Sequence, residues 1–259
     1  MTKIITTLLV LAISTVSFAQ DATSGADYRK HRFGLQAAPG VSYFTMGKDG
    51  STNKSLGYHI SGGLNYEYAF AKNFAISTGI MFSQTTAGVE YSDSVGLDWS
   101  TSVDGVDVPD SAFKLLSRRY LFNSIDIPLK LKLTTPEIGY LTYYGEFGTT
   151  INIITGAFAK KNDVFKKEGD QTETSLSGDT KKLDANKESN FLRAAINVGV
   201  GVEYNLAGNT SVLMGLNGNF PLSNILSNRS KSISYISTGK EFQRATKLNY
   251  ITATIGIQF

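Results

Sequence analysis

His31 and His59 are the only histidines in this chain of 259 residues, and histidine is the side chain best suited to acid–base or nucleophilic chemistry here. A histidine beside a serine and an acid can activate the serine for acyl transfer, as a lipid-modifying enzyme requires. Serines are so abundant in the sequence that one near His59 is weak evidence for such a site. We therefore expect His59 to be a hydrogen-bonded interior residue, and the protein not to be an enzyme.

Carboxylates are the other candidates for ligand chemistry, because the chain contains no cysteine and so has neither thiolate metal sites nor disulfides. Asp104, Asp107 and Asp110 lie close together in one polar segment, and their oxygens could bind Ca²⁺. Their spacing matches no EF-hand loop, so solvated loop carboxylates are the simpler interpretation. The sequence predicts no metal site and no cofactor.

The N-terminal residues have the pattern of an export signal. Lys3 provides a positive start, residues 4–16 are mainly apolar, and Ser17 and Ala19 place small residues before Gln20. This arrangement is typical of a cleaved secretory signal peptide. We expect a signal peptide at residues 1–19 and a short periplasmic segment at residues 20–31.

The remaining sequence alternates apolar and polar residues over stretches of about ten residues, which is the pattern of a β-strand with two different faces. In residues 192–205, for example, Ile196, Val198 and Val200 share one face. Arg193 and Asn197 share the other face. Eight stretches of this kind follow one another along the chain, and they are the elements that must position any functional side chain.

The breaks between these stretches alternate in length. Short breaks at residues 71–73, 134–139 and 206–209 alternate with long ones at residues 45–55, 90–117, 159–190 and 223–243. Short periplasmic turns that alternate with long external loops are typical of outer-membrane barrels. The sequence thus predicts an all-β fold, an eight-stranded antiparallel transmembrane β-barrel with an up-and-down meander, over residues 32–259. Pro128 lacks a backbone donor and predicts a bulge or a broken ladder in the fourth strand.

The last strand carries a second export feature. Ile255, Ile257 and the terminal Phe259 share one apolar face, and Tyr250 lies with other aromatic residues near the strand ends. Aromatic side chains are favoured where a membrane meets water. A final alternating strand that ends in phenylalanine resembles the signal read by the outer-membrane barrel assembly machinery. We therefore expect Tyr250, Ile255, Ile257 and Phe259 to serve as that signal.

Four short motifs together resemble a known family. They are SFAQ at residues 17–20, IDIPLKLK at residues 125–132, GVGVEY at residues 199–204 and IGIQF at residues 255–259. In this combination the chain resembles the PorT-like outer-membrane β-barrel domains of Bacteroidetes, which are small barrels of the OmpA and OmpX type. The resemblance spans the chain after the signal peptide and implies an outer-membrane barrel, most of whose relatives have no assigned activity.

An eight-stranded barrel has a lumen only wide enough for side chains. The alternation places seven charged residues on its inner face: Glu67, Asp126, Lys130, Lys132, Glu146, Arg193 and Glu203. Isolated buried ions are costly, so these groups are expected to be paired or hydrated. A plug of paired charges is the favoured interpretation, and an ion path or gate is the alternative.

The function expected from these features is a structural or surface-interaction role in the outer membrane. A narrow porin-like channel for small solutes and an accessory subunit of an outer-membrane secretion or transport complex are the alternatives. Expected partners are outer-membrane lipid, the barrel assembly machinery during biogenesis and an unidentified protein at the external loops. The formal net charge of +3 is too small for a concentrated nucleic-acid-binding surface, and we expect a monomer.

Overall fold

The computed structural model describes residues 30–47, 51–91, 95–97, 113–167, 173–175, 183–207, 210–227, 229–235, 241–243 and 245–259. The predicted signal peptide, almost all of the segment at residues 20–31, and the three aspartates weighed for Ca²⁺ lie outside this range. In the described residues, the one helix is a single 3₁₀ turn at Asn186–Glu188, and it is too short to cross a membrane.

The described residues form fourteen strands. In chain order these are β1 (His31–Met46), β2 (Ser51–Ser55), β3 (Gly57–Ala71), β4 (Phe74–Tyr91), β5 (Val95–Leu97), β6 (Phe113–Thr134), β7 (Leu141–Lys167), β8 (Glu173–Ser175), β9 (Leu183–Asp184), β10 (Leu192–Ala207), β11 (Thr210–Pro221), β12 (Arg229–Tyr235), β13 (Glu241–Gln243) and β14 (Thr246–Gln258).

Eight of these strands close on themselves. β1, β3, β4, β6, β7, β10, β11 and β14 pair in that order, every neighbour is antiparallel, and β14 pairs with β1 to complete the ring. Closure leaves no open sheet edge in the wall, so backbone N–H and C=O groups can pair between neighbouring strands, which a lipid environment demands. The predicted eight-stranded up-and-down barrel is confirmed.

The six short strands all lie in the long connections on one side of the barrel. β2 pairs with β4, β5 with β6 and β12, β8 and β9 with β7, and β12 with β13. The barrel strands also run into the segments that were assigned to loops, since β4 extends to Tyr91, β6 begins at Phe113 and β7 extends to Lys167. Antiparallel pairing between consecutive strands continues outward beyond the stretch where the apolar alternation stops.

Alternation along each strand separates a lipid face from a lumen face. On β4 the outward residues run from Phe74 to Phe82 and are large and exposed at most positions. Nine residues of strand at a tilt of about 40° give an apolar band roughly 20 Å tall, which is close to the band of outer-membrane barrels. Several inward residues of the same strand are buried and polar, among them Ser77, Ser83 and Thr85.

Pro128 interrupts the ladder on one side, as the sequence indicates. The β4–β6 pairing runs from Phe74↔Leu133 to Thr78↔Leu129 and resumes at Met81↔Asp126. The hydroxyl of Thr78 instead donates to the Pro128 carbonyl oxygen at 2.8 Å. The register is the same on both sides of this gap, so the strand loses hydrogen bonds there without a bulge.

Candidate functional site

The lumen near the start of β1 and the end of β14 holds a cluster of four charges that sum to zero: Arg32, Glu67, Lys132 and Glu203. Lys132 Nζ lies 2.5 Å from Glu67 Oε1 and also bonds the Glu203 carboxylate. Arg32 donates to Glu203 Oε2 at 2.8 Å and lies 3.6 Å from Glu67 Oε2. Lys132 is 1% exposed, so its charge depends on these two carboxylates for compensation.

A tyrosine and two glycines shape the space beside this cluster. Lys132 Nζ lies 4.6 Å from the centroid of the Tyr144 ring, a cation–π arrangement. A Cβ on Gly201 would lie 2.4 Å from the Tyr144 ring and hydroxyl, and one on Gly215 would lie 2.4 Å from the same hydroxyl. The absence of side chains on Gly201 and Gly215 therefore leaves room for this ring.

The other predicted lumen charges do not join that cluster. Lys130 and Glu146 form a separate pair, with Nζ 2.5 Å from Oε1. Arg193 is buried and donates to Asn219 Oδ1 at 2.6 Å. The seven residues thus lie in separate groups along the lumen, and they do not form one continuous network.

Asp126 has its own set of neutral partners. Its carboxylate accepts hydrogen bonds from Ser83 at 2.5 Å, from Ser124 at 2.8 Å and from the Asn152 amide at 2.6 Å. These donors come from β4, β6 and β7, which are consecutive in the wall. Hydrogen bonds from neutral donors stabilise the charge of a buried carboxylate.

His59 lies in the middle of the lumen, against Tyr250. Their rings are stacked with centroids 4.0 Å apart, and His59 Nδ1 is 2.8 Å from the Thr85 hydroxyl. The Arg193 guanidinium lies 5.6 Å from the centroid of the same tyrosine ring. The expectation that Tyr250 belongs to the aromatic girdle is wrong, because Tyr250 shares the inward face of β14 with Thr252.

The lumen is filled at the opposite end by an apolar cluster. Its buried members are Phe44, Ala87, Val89, Tyr91, Tyr120, Phe122, Ile154, Ala157, Ala185, Ile225, Leu226 and Leu248. Most of them are inward residues of barrel strands, but Ala185, Ile225 and Leu226 come from the connections after β7 and β11. Two loop segments therefore fold into the mouth of the barrel, and we call residues 185–188 and 225–227 the loop plug.

Hydrogen bonds hold the loop plug to the wall. The Ala185 N–H donates to the Ala157 carbonyl at 2.9 Å, and the Ile225 N–H donates to the Thr246 carbonyl at 2.9 Å. The two segments also bond each other, since the Ser227 N–H donates to the Glu188 carbonyl at 2.8 Å. The plug is thus tied to β7, to β14 and to itself.

A buried ion pair anchors the same segment. Arg118 donates to Glu188 Oε1 at 3.0 Å, and the Tyr120 hydroxyl donates to Glu188 Oε2 at 2.7 Å. Both charged side chains are about 5% exposed. Glu188 therefore links the 3₁₀ turn of the plug to the inner face of β6.

Several of these residues were absent from the sequence prediction. Arg32 shares the inward face of β1 with Gly34 and Gln36, and the alternation that begins at Phe33 could have identified it. The loop plug has no comparable signal, because Ile225 and Leu226 are an isolated apolar pair in a polar segment. Within the described part of the chain, no group of three or more metal-binding side chains is present.

A closed antiparallel barrel with an apolar outer band and a charged, hydrogen-bonded interior defines an integral outer-membrane protein. Residues 18–227 match the outer membrane protein beta-barrel domain, and the chain belongs to that family. A comparison with curated protein sequences found no match.

The solved structures that this chain resembles are distant in sequence. Outer membrane protein OprG from Pseudomonas aeruginosa is 12% identical, with 91% of this chain and 99% of that chain covered and a TM-score of 0.45. Neisserial surface protein A is 11% identical, with 87% and 95% covered and a TM-score of 0.41. The outer membrane protease OmpT from Escherichia coli is 8% identical, with 92% and 99% covered and a TM-score of 0.38.

Proposed function

We propose that this protein is a non-conducting outer-membrane barrel with a structural or surface-interaction role, and that its lumen is closed at two levels. The observation that carries the proposal is the combination of the four-charge cluster at one end with the apolar cluster at the other. Both levels would have to open before ions could pass, so either level alone is enough to close the lumen. Membership of the PorT-like subfamily is part of the proposal and rests on the four sequence motifs.

The charge cluster is suited to closing the lumen because its members satisfy one another. Glu67, Lys132 and Glu203 are each at most 3% exposed, so they offer few groups to a passing ion. The loop plug excludes water by a different means, since Ile225 and Leu226 are fully buried against aromatic side chains of the wall. An ion crossing this apolar layer would lose its hydration without any compensating ligand.

One observation favours the alternative of a narrow channel. Between the two levels, Arg193 Nε and Asn152 Oδ1 are buried without a hydrogen-bond partner. Near the end of β14, both side-chain amide atoms of Gln258 are also buried without a partner. Such groups are usually bonded to ordered water. Water in the lumen would give a small solute a partial route, and conductance decides between the two functions.

The test is single-channel recording in planar bilayers. The wild type should be silent, and so should each of two double variants: Lys132→Ser with Glu203→Ser, which keeps the lumen neutral, and Ile225→Ser with Leu226→Ser, which makes the plug polar. The quadruple variant should conduct. A stable conductance of the wild type would overturn the proposal, and a silent quadruple variant would show that the lumen is closed elsewhere.

We propose further that the protein is not an enzyme. His59 is stacked on Tyr250 and bonded to Thr85, so its ring is held by neutral groups in the lumen interior. A nucleophile activated there would be shut off from lipid substrates by the wall and by the loop plug. Lipase and acyltransferase assays on detergent-solubilised protein should detect no activity that depends on His59. An activity that is present in the wild type and lost in His59→Ala would contradict the proposal.

Partners are proposed from the sequence features at the two ends of the chain. The alternating apolar face of β14 supports recognition of this strand by the barrel assembly machinery. The long connections between barrel strands support the binding of an unidentified protein partner, as expected for an accessory subunit of a secretion or transport complex. We propose that the barrel itself is a monomer, because its sheet is closed and has no open edge in the wall. Co-purification from detergent-solubilised membranes should return a stable complex if such a partner exists.

A further inference from the structure

The hairpin of β12 and β13 reaches from one side of the barrel to the other. Both strands belong to the connection between β11 and β14, yet β12 pairs with β5, which follows β4 in the chain. In the ring of eight wall strands, β4 stands four places from β11, so the two are on opposite sides. The hairpin therefore spans the outer mouth, and we call β12 and β13 the mouth hairpin.

The mouth hairpin lies over the loop plug. One residue separates Ser227, at the end of the plug, from the start of β12 at Arg229. β12 also lies beside the 3₁₀ turn of the plug at Asn186–Glu188. Next to this turn, Ser189 pairs with Leu226, so the two halves of the plug are joined. Three of the connections on this side of the barrel thus meet above the closed lumen.

The pairing that holds the far end of the hairpin is short. It consists of Val95↔Tyr235, Gly96↔Ser234 and Leu97↔Ile233. In the described structure, β5 is in turn joined to β6 at one position, Gly96↔Lys114. The wall strands are paired over much longer stretches, as from Ser211↔Gln258 to Asn219↔Tyr250 between β11 and β14. Local opening starts where pairing is sparse, so β12 should separate from β5 before the wall separates.

The sequence of β12 adds little to this hold. Ser230, Ser232 and Ser234 alternate along the strand and so share one face. That face has no apolar residue whose burial could fix the hairpin over the mouth. The backbone pairing with β5 is therefore an important part of what keeps the hairpin in place, and it can be broken and formed again without unfolding the barrel.

We propose that the pairing of β12 with β5 is a latch that controls the loop plug from the outer side of the barrel. While the strands are paired, the mouth hairpin covers residues 185–188 and 225–227 and blocks their way out. When the strands separate, the hairpin lifts and the plug can leave the mouth. This inference rests on the proposed closure of the lumen by the plug, and it names the contact that regulates that closure.

The experiment is hydrogen–deuterium exchange with peptide readout on the detergent-solubilised full chain. Because the chain has no cysteine, Gly96→Cys with Ser234→Cys introduces a single disulfide, between β5 and β12. Opposite residues of an antiparallel pair have Cα atoms about 4.5–5.5 Å apart, which suits a disulfide. The matched control is Ser234→Cys with Glu241→Cys, an opposite pair within the hairpin. Its disulfide leaves the hairpin free to lift from β5.

Oxidation of the β5–β12 pair should slow exchange at residues 185–188 and 225–227 by about tenfold relative to the reduced protein, because it prevents the openings that expose the plug. Exchange in β10 and β14 should be the same in both forms. The control pair should show no effect of oxidation on the plug. Mass spectrometry of alkylated protein counts the free thiols, and mobility on unheated gels shows that each variant is folded.

Three results would overturn the latch: equal exchange of the plug in the oxidised and reduced β5–β12 pair, equal slowing by the control disulfide, or failure of the β5–β12 pair to oxidise when the control pair does. None of these results depends on conductance. A wild type that conducts in planar bilayers would instead refute the proposed closure of the lumen, so the two failures are distinguishable.

Discussion

The imidazole of His59 stacks on the phenol ring of Tyr250, with ring planes only 7° apart. The two residues belong to β3 and β14, which are separated in the wall by β1. The rings meet because β1 places small residues between them, Gly40 opposite His59 and Ser42 opposite Tyr250. Two strands that share no hydrogen bonds are therefore coupled through the lumen, and this coupling can be tested by mutation.

Tyr250→Ala should lower the free energy of unfolding by ~3–5 kcal/mol, because it removes a buried aromatic ring and leaves a cavity beside His59. Tyr250→Phe keeps the stack and should cost less. Urea unfolding in lipid vesicles, followed by the mobility of the folded band on unheated gels, measures both. Equal destabilisation by the two variants would mean that the hydroxyl, and not the stack, is what matters.

Phe259→Ala should act on assembly and not on the folded barrel. Phe259 makes only backbone hydrogen bonds with Phe33, at 2.8 and 3.2 Å, to close the barrel, so the folded state retains them without the ring. If the C-terminal strand is read by the assembly machinery, the variant should accumulate more slowly in the outer membrane and yet have near wild-type stability once folded. Pulse-chase measurement of folded protein in cells, paired with urea unfolding, distinguishes this from a loss of stability.

Gly215→Ala should destabilise the barrel by ~1–3 kcal/mol, the usual cost of overpacking an interior. The new methyl group would lie 2.4 Å from the Tyr144 hydroxyl, and removal of that hydroxyl in Tyr144→Phe should restore part of the loss, because the Val200 carbonyl oxygen would still lie 3.0 Å away. Gly62→Ala is the control, because its nearest neighbour would be 3.7 Å away. Thermal unfolding of the wild type, the two single variants and the double variant gives the coupling energy between positions 215 and 144. Strict additivity of Gly215→Ala and Tyr144→Phe would contradict the contact.

Lys132→Met should lower the free energy of unfolding by ~3–5 kcal/mol, because it leaves Glu67 and Glu203 with an uncompensated buried charge. Adding Glu203→Gln should recover part of that loss. Lys130→Met is the matched control on the same strand: its partner is Glu146 and its side chain is 13% exposed, so the loss should be smaller. Urea unfolding measures all three, and a larger loss for Lys130→Met would contradict the importance of the four-charge cluster.

Strand parity explains how much of the site could be predicted. Because side chains alternate strictly between wall and lumen, Glu67, Lys132 and Glu203 could be assigned to the interior from sequence alone. Which charges meet depends on the register between strands, and no local pattern contains that information. Lys132 therefore meets Glu203 across the lumen, whereas Asp126 on the same strand accepts its hydrogen bonds from hydroxyl and amide groups.

The loop plug could not be predicted for a related reason. Its residues are few, they lack periodicity, and their burial depends on contacts with strands far away in the sequence, such as the bond of Ile225 to Thr246. The composition of the connections indicated exposed polar loops, and the fold instead returns two short segments into the mouth. Loop burial of this kind is decided by tertiary packing.

Glu188→Gln should loosen the loop plug without opening the wall. The substitution keeps the size of the side chain and removes the charge that Arg118 and the Tyr120 hydroxyl bond, so the 3₁₀ turn loses its strongest link to β6. The amides of Ala185 and Ser227 are hydrogen-bonded through this region, and their hydrogen exchange should speed up.

Hydrogen–deuterium exchange with peptide readout can separate the plug at residues 185–188 and 225–227 from the wall. Exchange in β10 and β14 should stay as in the wild type, and Glu146→Gln, which weakens a lumen pair away from the plug, should leave residues 185–188 protected. Faster exchange throughout the barrel would mean that Glu188 stabilises the whole fold. Unchanged exchange at residues 185–188 would mean that apolar packing of Ile225 and Leu226 holds the plug without the ion pair.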